Sequence, residues 1–169
     1  ETTIEKVKAA ALALGYFPNA AARALRTGRV QNIALIVPDL TNPFMPPIAL
    51  AAQKEAERHG FCVFIGNANE TPSQEERLLA RFSDQVAGAI IVSPRSGAAV
   101  IRDMASRIPV VLINRDVDGI PRVLIDACQG MTRAAEHLVG LGHKKLAYIS
   151  GPARSWANEQ RCAAFFTAS

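Results

Sequence analysis

The sequence predicts an α/β protein built on a doubly wound parallel sheet. Two observations carry that expectation. From Asn32 onward, short apolar runs of strand length alternate with longer segments of helical periodicity, the pattern of strands joined by crossover helices. The apolar runs are also continuous rather than alternating, as in strands covered on both faces by helices. Composition agrees: 169 residues, 49% hydrophobic and 20% charged, suffice for a sizeable core.

The elements follow in order. Residues 2–14 read as a helix, with Thr2 and Glu5 at capping-box spacing, Ile4, Val7, Ala11 and Leu14 on one stripe, and Gly15 as its stop. Tyr16-Phe17-Pro18 turns the chain into residues 18–28, which read as a short basic helix. Asn19 is placed to cap it and Gly28 to end it, with Arg23, Arg26 and Arg29 toward its C-terminal half. A helix this short is marginal alone in water, and its caps and cationic face suggest one that forms fully on a polyanion. Leu25, its one large apolar residue, suits a wedge between base steps. A solvated linker with a few arginines has the same composition.

Strands are expected at Ile33–Val37, Cys62–Gly66, Ala89–Val92, Val110–Asn114, Val123–Asp126 and Leu146–Ser150. Helices are expected at about 46–59, 73–86, 97–106 and 128–141, with a last one from Ala157. Right-handed crossovers follow by default.

Charge is uneven. Residues 1–30 hold five Lys/Arg against two acids, and residues 31–169 fourteen against thirteen. The excess is N-terminal and favours an acidic partner there. Three cysteines at wide spacing fit neither a disulfide framework nor a zinc site, and Cys62, in an apolar run, reads as a small core residue. No run reaches membrane-spanning length and no signal-peptide pattern opens the chain, so a cytoplasmic location without membrane association is expected.

Ligands of open parallel sheets bind beyond the carboxyl ends of the strands. Those ends read Pro38 to Phe44, Asn67 to Asn69, Ser93 to Arg95, Asn114 to Asp116, Asp126, and Gly151 to Arg161. Amides, hydroxyls, carboxylates and arginines beside an aromatic at Phe44 suit a small polar molecule such as a sugar or nucleoside. Enzyme signatures are missing. There is no Gly-x-Gly-x-x-Gly, no phosphate-cradling loop and no Gly-x-Ser-x-Gly elbow. His59, His137 and His143 fall on helices or helix ends, and Asp116 and Asp118 read as turn residues. No catalytic residue, metal or cofactor is assigned.

Six segments, in order and covering nearly the whole chain, resemble the LacI/GalR family of bacterial transcriptional regulators. They include Leu14-Gly15-Tyr16-Phe17-Pro18-Asn19, Ala22 to Arg29, Ile33 to Phe44, and Ile108 to Arg115. Glu136 to Lys144 follows, and then Ile149-Ser150-Gly151-Pro152 with Arg161 and Phe165. The resemblance implies a helix-turn-helix headpiece, a hinge helix and a two-lobed core of periplasmic-binding-protein-like type. Residues 1–17 then correspond to the end of the headpiece, 18–30 to hinge helix and linker, 31–126 to the N-terminal lobe, and 127–169 to the start of the C-terminal lobe. The match thus spans about half of a family member, without the first headpiece helices or most of the C-terminal lobe.

The function implied is that of an effector-responsive DNA-binding regulator, a repressor, acting as a homodimer in the full-length protein. Asn19, Arg23, Leu25, Arg26 and Arg29 would contact the operator through the minor groove, with Leu25 where the family's intercalating leucine lies. Asp39, Phe44, Asn114, Ser155 and Arg161 would bind the effector, with Ala157 in the same loop as Ser155. Many relatives have Asp where Asn114 stands, which changes the polarity offered to the effector. Each residue also has a plainer reading: Asp39 as a helix cap, Phe44 shaping a helix entry, Arg161 on a surface helix. A periplasmic-type binding module without a DNA role is the alternative, and a signal sequence upstream in place of a helix-turn-helix would identify it.

Overall fold

A computed structural model describes residues 2–16 and 30–168 of the chain. They fall into two units, Glu1–Gln31 and Asn32–Ser169. In the first, α1 (Thr3–Ala13) forms where the capping box predicts it: the Thr2 N–H donates to Glu5 Oε2 at 2.7 Å. Gly15 takes φ +62°, which lets Gly15 N–H reach the Leu12 carbonyl and Tyr16 N–H the Ala11 carbonyl, closing the helix end. Ile4, Val7 and Leu14 of its apolar stripe are exposed. The short basic helix expected at 18–28, with Asn19, Arg23, Leu25, Arg26 and Arg29, lies outside the described residues.

The second unit is built on five parallel strands: β1 (Asn32–Val37), β2 (Cys62–Asn67), β3 (Gly88–Val92), β4 (Val110–Ile113) and β5 (Arg122–Val123). They lie in the order β2-β1-β3-β4-β5. The helices are α2 (Met45–Arg58), α3 (Pro72–Phe82), α4 (Ala98–Arg107), α5 (Cys128–Gly140) and α6 (Trp156–Ala168).

Parallel register puts Ala34, Ala89 and Val110 on one face of the sheet, with Ile36, Ile91 and Leu112 above them. These pack with Leu79 of α3 and with Ile101 and Met104 of α4. The other face carries Leu35, Val37 and Val92 against Met45 and Ala49 of α2. The central strand β1 is buried from Ala34 to Val37, which is why its run is continuously apolar. Full burial of each Leu or Ile here stabilises by about 1.5–3 kcal/mol.

Three expectations need correction. Cys62 is exposed, not core, because it opens β2, the edge strand. The strand expected at Val123–Asp126 ends at Val123: Asn114 turns left-handed at φ +55° after β4, and its Oδ1, not a backbone carbonyl, accepts the Ile125 N–H. Leu146–Ser150 pairs with no strand among the described residues, and a strand needs a partner for its backbone groups.

One glycine is demanded by the sheet. A Cβ on Gly88 would lie 3.0 Å from the carbonyl oxygen of Pro109, which accepts the Ala89 N–H at 2.9 Å. Gly88→Ala is expected to cost about 1–2 kcal/mol by forcing β3 and β4 apart there. Urea unfolding checks this, and an unchanged midpoint would show that the strands part without strain.

Candidate functional site

The order β2-β1-β3 reverses the chain's direction of travel across the sheet, so the connections leaving β1 and β3 diverge and open a crevice at their carboxyl ends. A cavity of about 350 Å³ occupies that position. Each strand's exit contributes to it. After β1 come Pro38, Asn42 and Phe44, with Met45 opening α2; after β2, Glu70; after β3, Ser93 and Arg95. Asn114 follows β4, and Ile125 and Ala127 follow β5. The remaining wall is the α6 entry, with Pro152, Ser155, Ala157 and Arg161.

The backbone is strained where it meets this cavity. Among the described residues, the non-glycine residues with positive φ are Asn69, Glu70, Ser93 and Asn114, all just past β2, β3 or β4. For Glu70 and Ser93 that conformation costs on the order of 1–2 kcal/mol each. It persists because hydrogen bonds hold both turns. Arg95 Nε and Nη2 donate to the two Glu70 carboxylate oxygens at 2.5 and 3.1 Å, and Nη1 donates to the Ser93 carbonyl at 2.7 Å. Glu75, 1% exposed in the first turn of α3, accepts the backbone N–H groups of Arg95 and Ser96 at 2.8 and 3.1 Å. A buried carboxylate needs such partners. It clamps the β3 exit onto α3.

The α6 entry is held by Asn158, 4% exposed. Its Oδ1 accepts from Gly151 N–H at 2.9 Å and from the Tyr148 hydroxyl at 3.1 Å, and its Nδ2 donates to Ser150 Oγ at 3.0 Å. Tyr148 stacks on Phe165 with ring centroids 5.4 Å apart, anchoring the loop to the body of α6.

Of the expected effector residues, Phe44, Asn114, Ser155 and Arg161 come together on the cavity wall. Asp39 is not part of that wall. Its carboxylate accepts from Thr41 N–H at 2.9 Å and from the Thr41 hydroxyl at 2.8 Å, closing an Asx turn. Those two bonds, the backbone one first, hold the Asp39 carboxyl below its ordinary pKa. A depressed carboxyl pKa stabilises the fold above the unfolded value and loses that contribution as pH falls through the folded one. Carboxyl-detected NMR should therefore place the Asp39 midpoint below that of an unperturbed aspartate, and Thr41→Ala, which removes the hydroxyl but keeps the backbone N–H, should move it part of the way back up.

Sequence reasoning placed Arg95 and Asn158 in the strand-exit segments without giving either a role, and missed Glu70 and Glu75. Among the described residues, no group of three or more His, Cys, Asp or Glu could hold a metal ion, and no helix is long and apolar enough to cross a membrane.

Comparison with known proteins places this architecture. The family model described as "Periplasmic binding proteins and sugar binding domain of LacI family" matches residues 30–168. The ribose operon repressor of Bacillus subtilis (strain 168) is 33% identical over 154 residues, covering 90% of this chain and 47% of that protein. Catabolite control protein A of Priestia megaterium is 30% identical over 154 residues, covering 89% of this chain and 46% of that protein. Among solved structures, a periplasmic binding protein/LacI transcriptional regulator from Alkaliphilus metalliredigens QYMF, complexed with D-xylulofuranose, superposes with a TM-score of 0.70. It is 28% identical and covers 82% of this chain and 52% of that one. The chain spans about half the length of the curated relatives it matches.

Proposed function

Because the chain belongs to the LacI family of periplasmic-binding-protein-like, sugar-binding domains, we propose that it serves an effector-responsive, DNA-binding transcriptional regulator. That regulator is a repressor, and the cavity at the sheet's carboxyl ends takes its small polar effector. The observation that carries this reading is the cavity itself. It sits at the reversal of strand order, and five strand exits and the α6 entry converge there with Phe44, Asn114, Ser155 and Arg161 on its wall. Phe44 offers a ring face, Asn114 an amide, and Arg161 a forked donor.

On this reading Asn19, Arg23, Leu25, Arg26 and Arg29 contact the operator backbone and minor groove, from a homodimer in the cytoplasm. Effector binding changes operator affinity only through unequal affinity for two states of the regulator. The sugar-related names of the relatives, the ribose operon repressor and the xylulofuranose complex, favour a sugar-like effector. No catalytic role is assigned to any residue.

The test is a mobility-shift titration of the native protein that carries this chain, at physiological salt, with and without candidate sugars. A sugar-dependent change in operator affinity is expected, and Leu25→Ser is expected to weaken operator binding by at least about tenfold by removing the wedge. Absence of any operator preference would sink the proposal.

A further inference from the structure

Two left-handed residues of the cavity wall, Glu70 at φ +56° and Ser93 at φ +44°, are of types that resist that conformation. Asn69 and Asn114 share the left-handed form, but asparagine tolerates it. Left to itself, a glutamate or serine favours a relaxed backbone by a factor on the order of ten.

One guanidinium reaches both. The Arg95 side chain is 6% exposed. Its Nε and Nη2 donate to the Glu70 carboxylate and its Nη1 to the Ser93 carbonyl, so three of its five N–H groups are committed. The root of the side chain is fixed independently, because the Arg95 backbone N–H is held by Glu75 Oε2 from α3. The guanidinium is thus a strut from the β3 exit to the β2 exit. Each turn it holds makes a further bond. Glu70 N–H donates to the Pro38 carbonyl and Ser93 N–H to the Ile113 carbonyl, both at 2.7 Å. Those bonds tie the β2 exit to the β1 exit, where Pro38 lines the cavity, and the β3 exit to the end of β4. A turn that leaves the left-handed form re-aims the chain through it, breaks its bond and moves the wall.

Resting on the reading of this cavity as an effector site, we infer that Arg95 is a positioning residue of that site. Its guanidinium latches the Glu70 and Ser93 turns in the left-handed form, and the wall has its binding shape only while the latch is closed. Arg95 acts through Glu70 and Ser93 rather than by touching the effector. Occupancy in turn favours the latched state, because an effector that binds it better draws the population toward it.

The latch and the cavity are read separately, on the 169-residue chain. Circular dichroism confirms that parent and variants are folded. Hydrogen exchange followed by NMR reads the latch without a ligand. Arg95→Met is expected to speed exchange of the Glu70 and Ser93 amides by about tenfold or more, over and above any change at the buried Leu35 and Ile36 of β1. Adding Ser93→Gly, which takes positive φ freely, is expected to slow residue 93 back several-fold while Glu70 stays fast. Arg95→Lys, a point charge in place of the fork, is expected to fall between, and it carries the test if Arg95→Met does not fold. Exchange at Glu70 and Ser93 that rises no more than in β1 would overturn the latch, and so would the absence of any rescue by glycine.

Trp156, the chain's single tryptophan, stands between the wall residues Ser155 and Ala157 and reports occupancy by fluorescence. In titrations with D-ribose and D-xylulose, Arg95→Met is expected to weaken binding by about tenfold, as the wall loses its latched shape. Freed turns with affinity intact would overturn the positioning role and leave the cavity an effector site. A folded parent chain that binds neither sugar overturns the effector-site reading, and the positioning role with it.

Discussion

Glu75→Ala is expected to lower the unfolding free energy by about 3 kcal/mol, the largest effect of any single polar substitution in the sheet unit. The side chain is 1% exposed and accepts two buried backbone N–H groups, from Arg95 and Ser96. Each donor stranded without an acceptor costs about 1–3 kcal/mol, and the truncated side chain leaves a void as well. Glu75→Gln separates the terms. Its Oε1 still accepts one N–H, while its own amide N–H groups face the second donor, so about half the loss is expected. Urea unfolding of the three proteins gives the ranking directly. If alanine and glutamine cost the same, the two-amide clamp is not what the carboxylate contributes. Ligand affinity should fall alongside stability, because the clamped segment carries Arg95 into the cavity wall.

Asn158→Ala is expected to cost about 2 kcal/mol and to weaken ligand binding by about tenfold. The amide holds three groups at once: Gly151 N–H, the Tyr148 hydroxyl and Ser150 Oγ. Without it the Gly151–Ser155 turn loses its tie to α6, and Ser155 loses its fixed place on the wall. Tyr148→Phe removes only one of those bonds and keeps the ring against Phe165, so about 1 kcal/mol and little change in affinity are expected. Calorimetric melting together with Trp156 fluorescence reads both quantities. Equal affinity for Asn158→Ala and the parent chain would show that the turn keeps its shape unaided.

Residue pattern revealed the sheet best where burial is complete. Ile33 to Val37 is legible as a strand because both its faces are covered, and the helices between strands announce themselves by period and caps. Pairing was less legible. Leu146–Ile149 reads as a strand-length apolar run much as β4 does, but strand formation depends on a neighbour's backbone, which no local pattern encodes. Cys62 misled for a related reason: an apolar run does not say whether its strand is central or at an edge.

On the cavity wall, Phe44, Asn114, Ser155 and Arg161 came from position within a resembled family, and the fold gathers them. The roles of Glu75 and Asn158 escaped because their partners are set by tertiary folding. An acid in the first turn of an amphipathic helix ordinarily faces water, and nothing near Glu75 in sequence points to the amides 20 and 21 residues later. Asp39 was ambiguous from sequence, and its acceptor atoms turn out to be engaged by the nearest hydroxyl.

The cavity takes at most a few side chains from any one connection, and the apolar interior of the sheet contributes none of its selective groups. Innovation and robustness are thereby decoupled. A lineage carrying this scaffold can exchange one small molecule for another by altering single loop tips, while the packed centre that keeps the chain folded stays untouched.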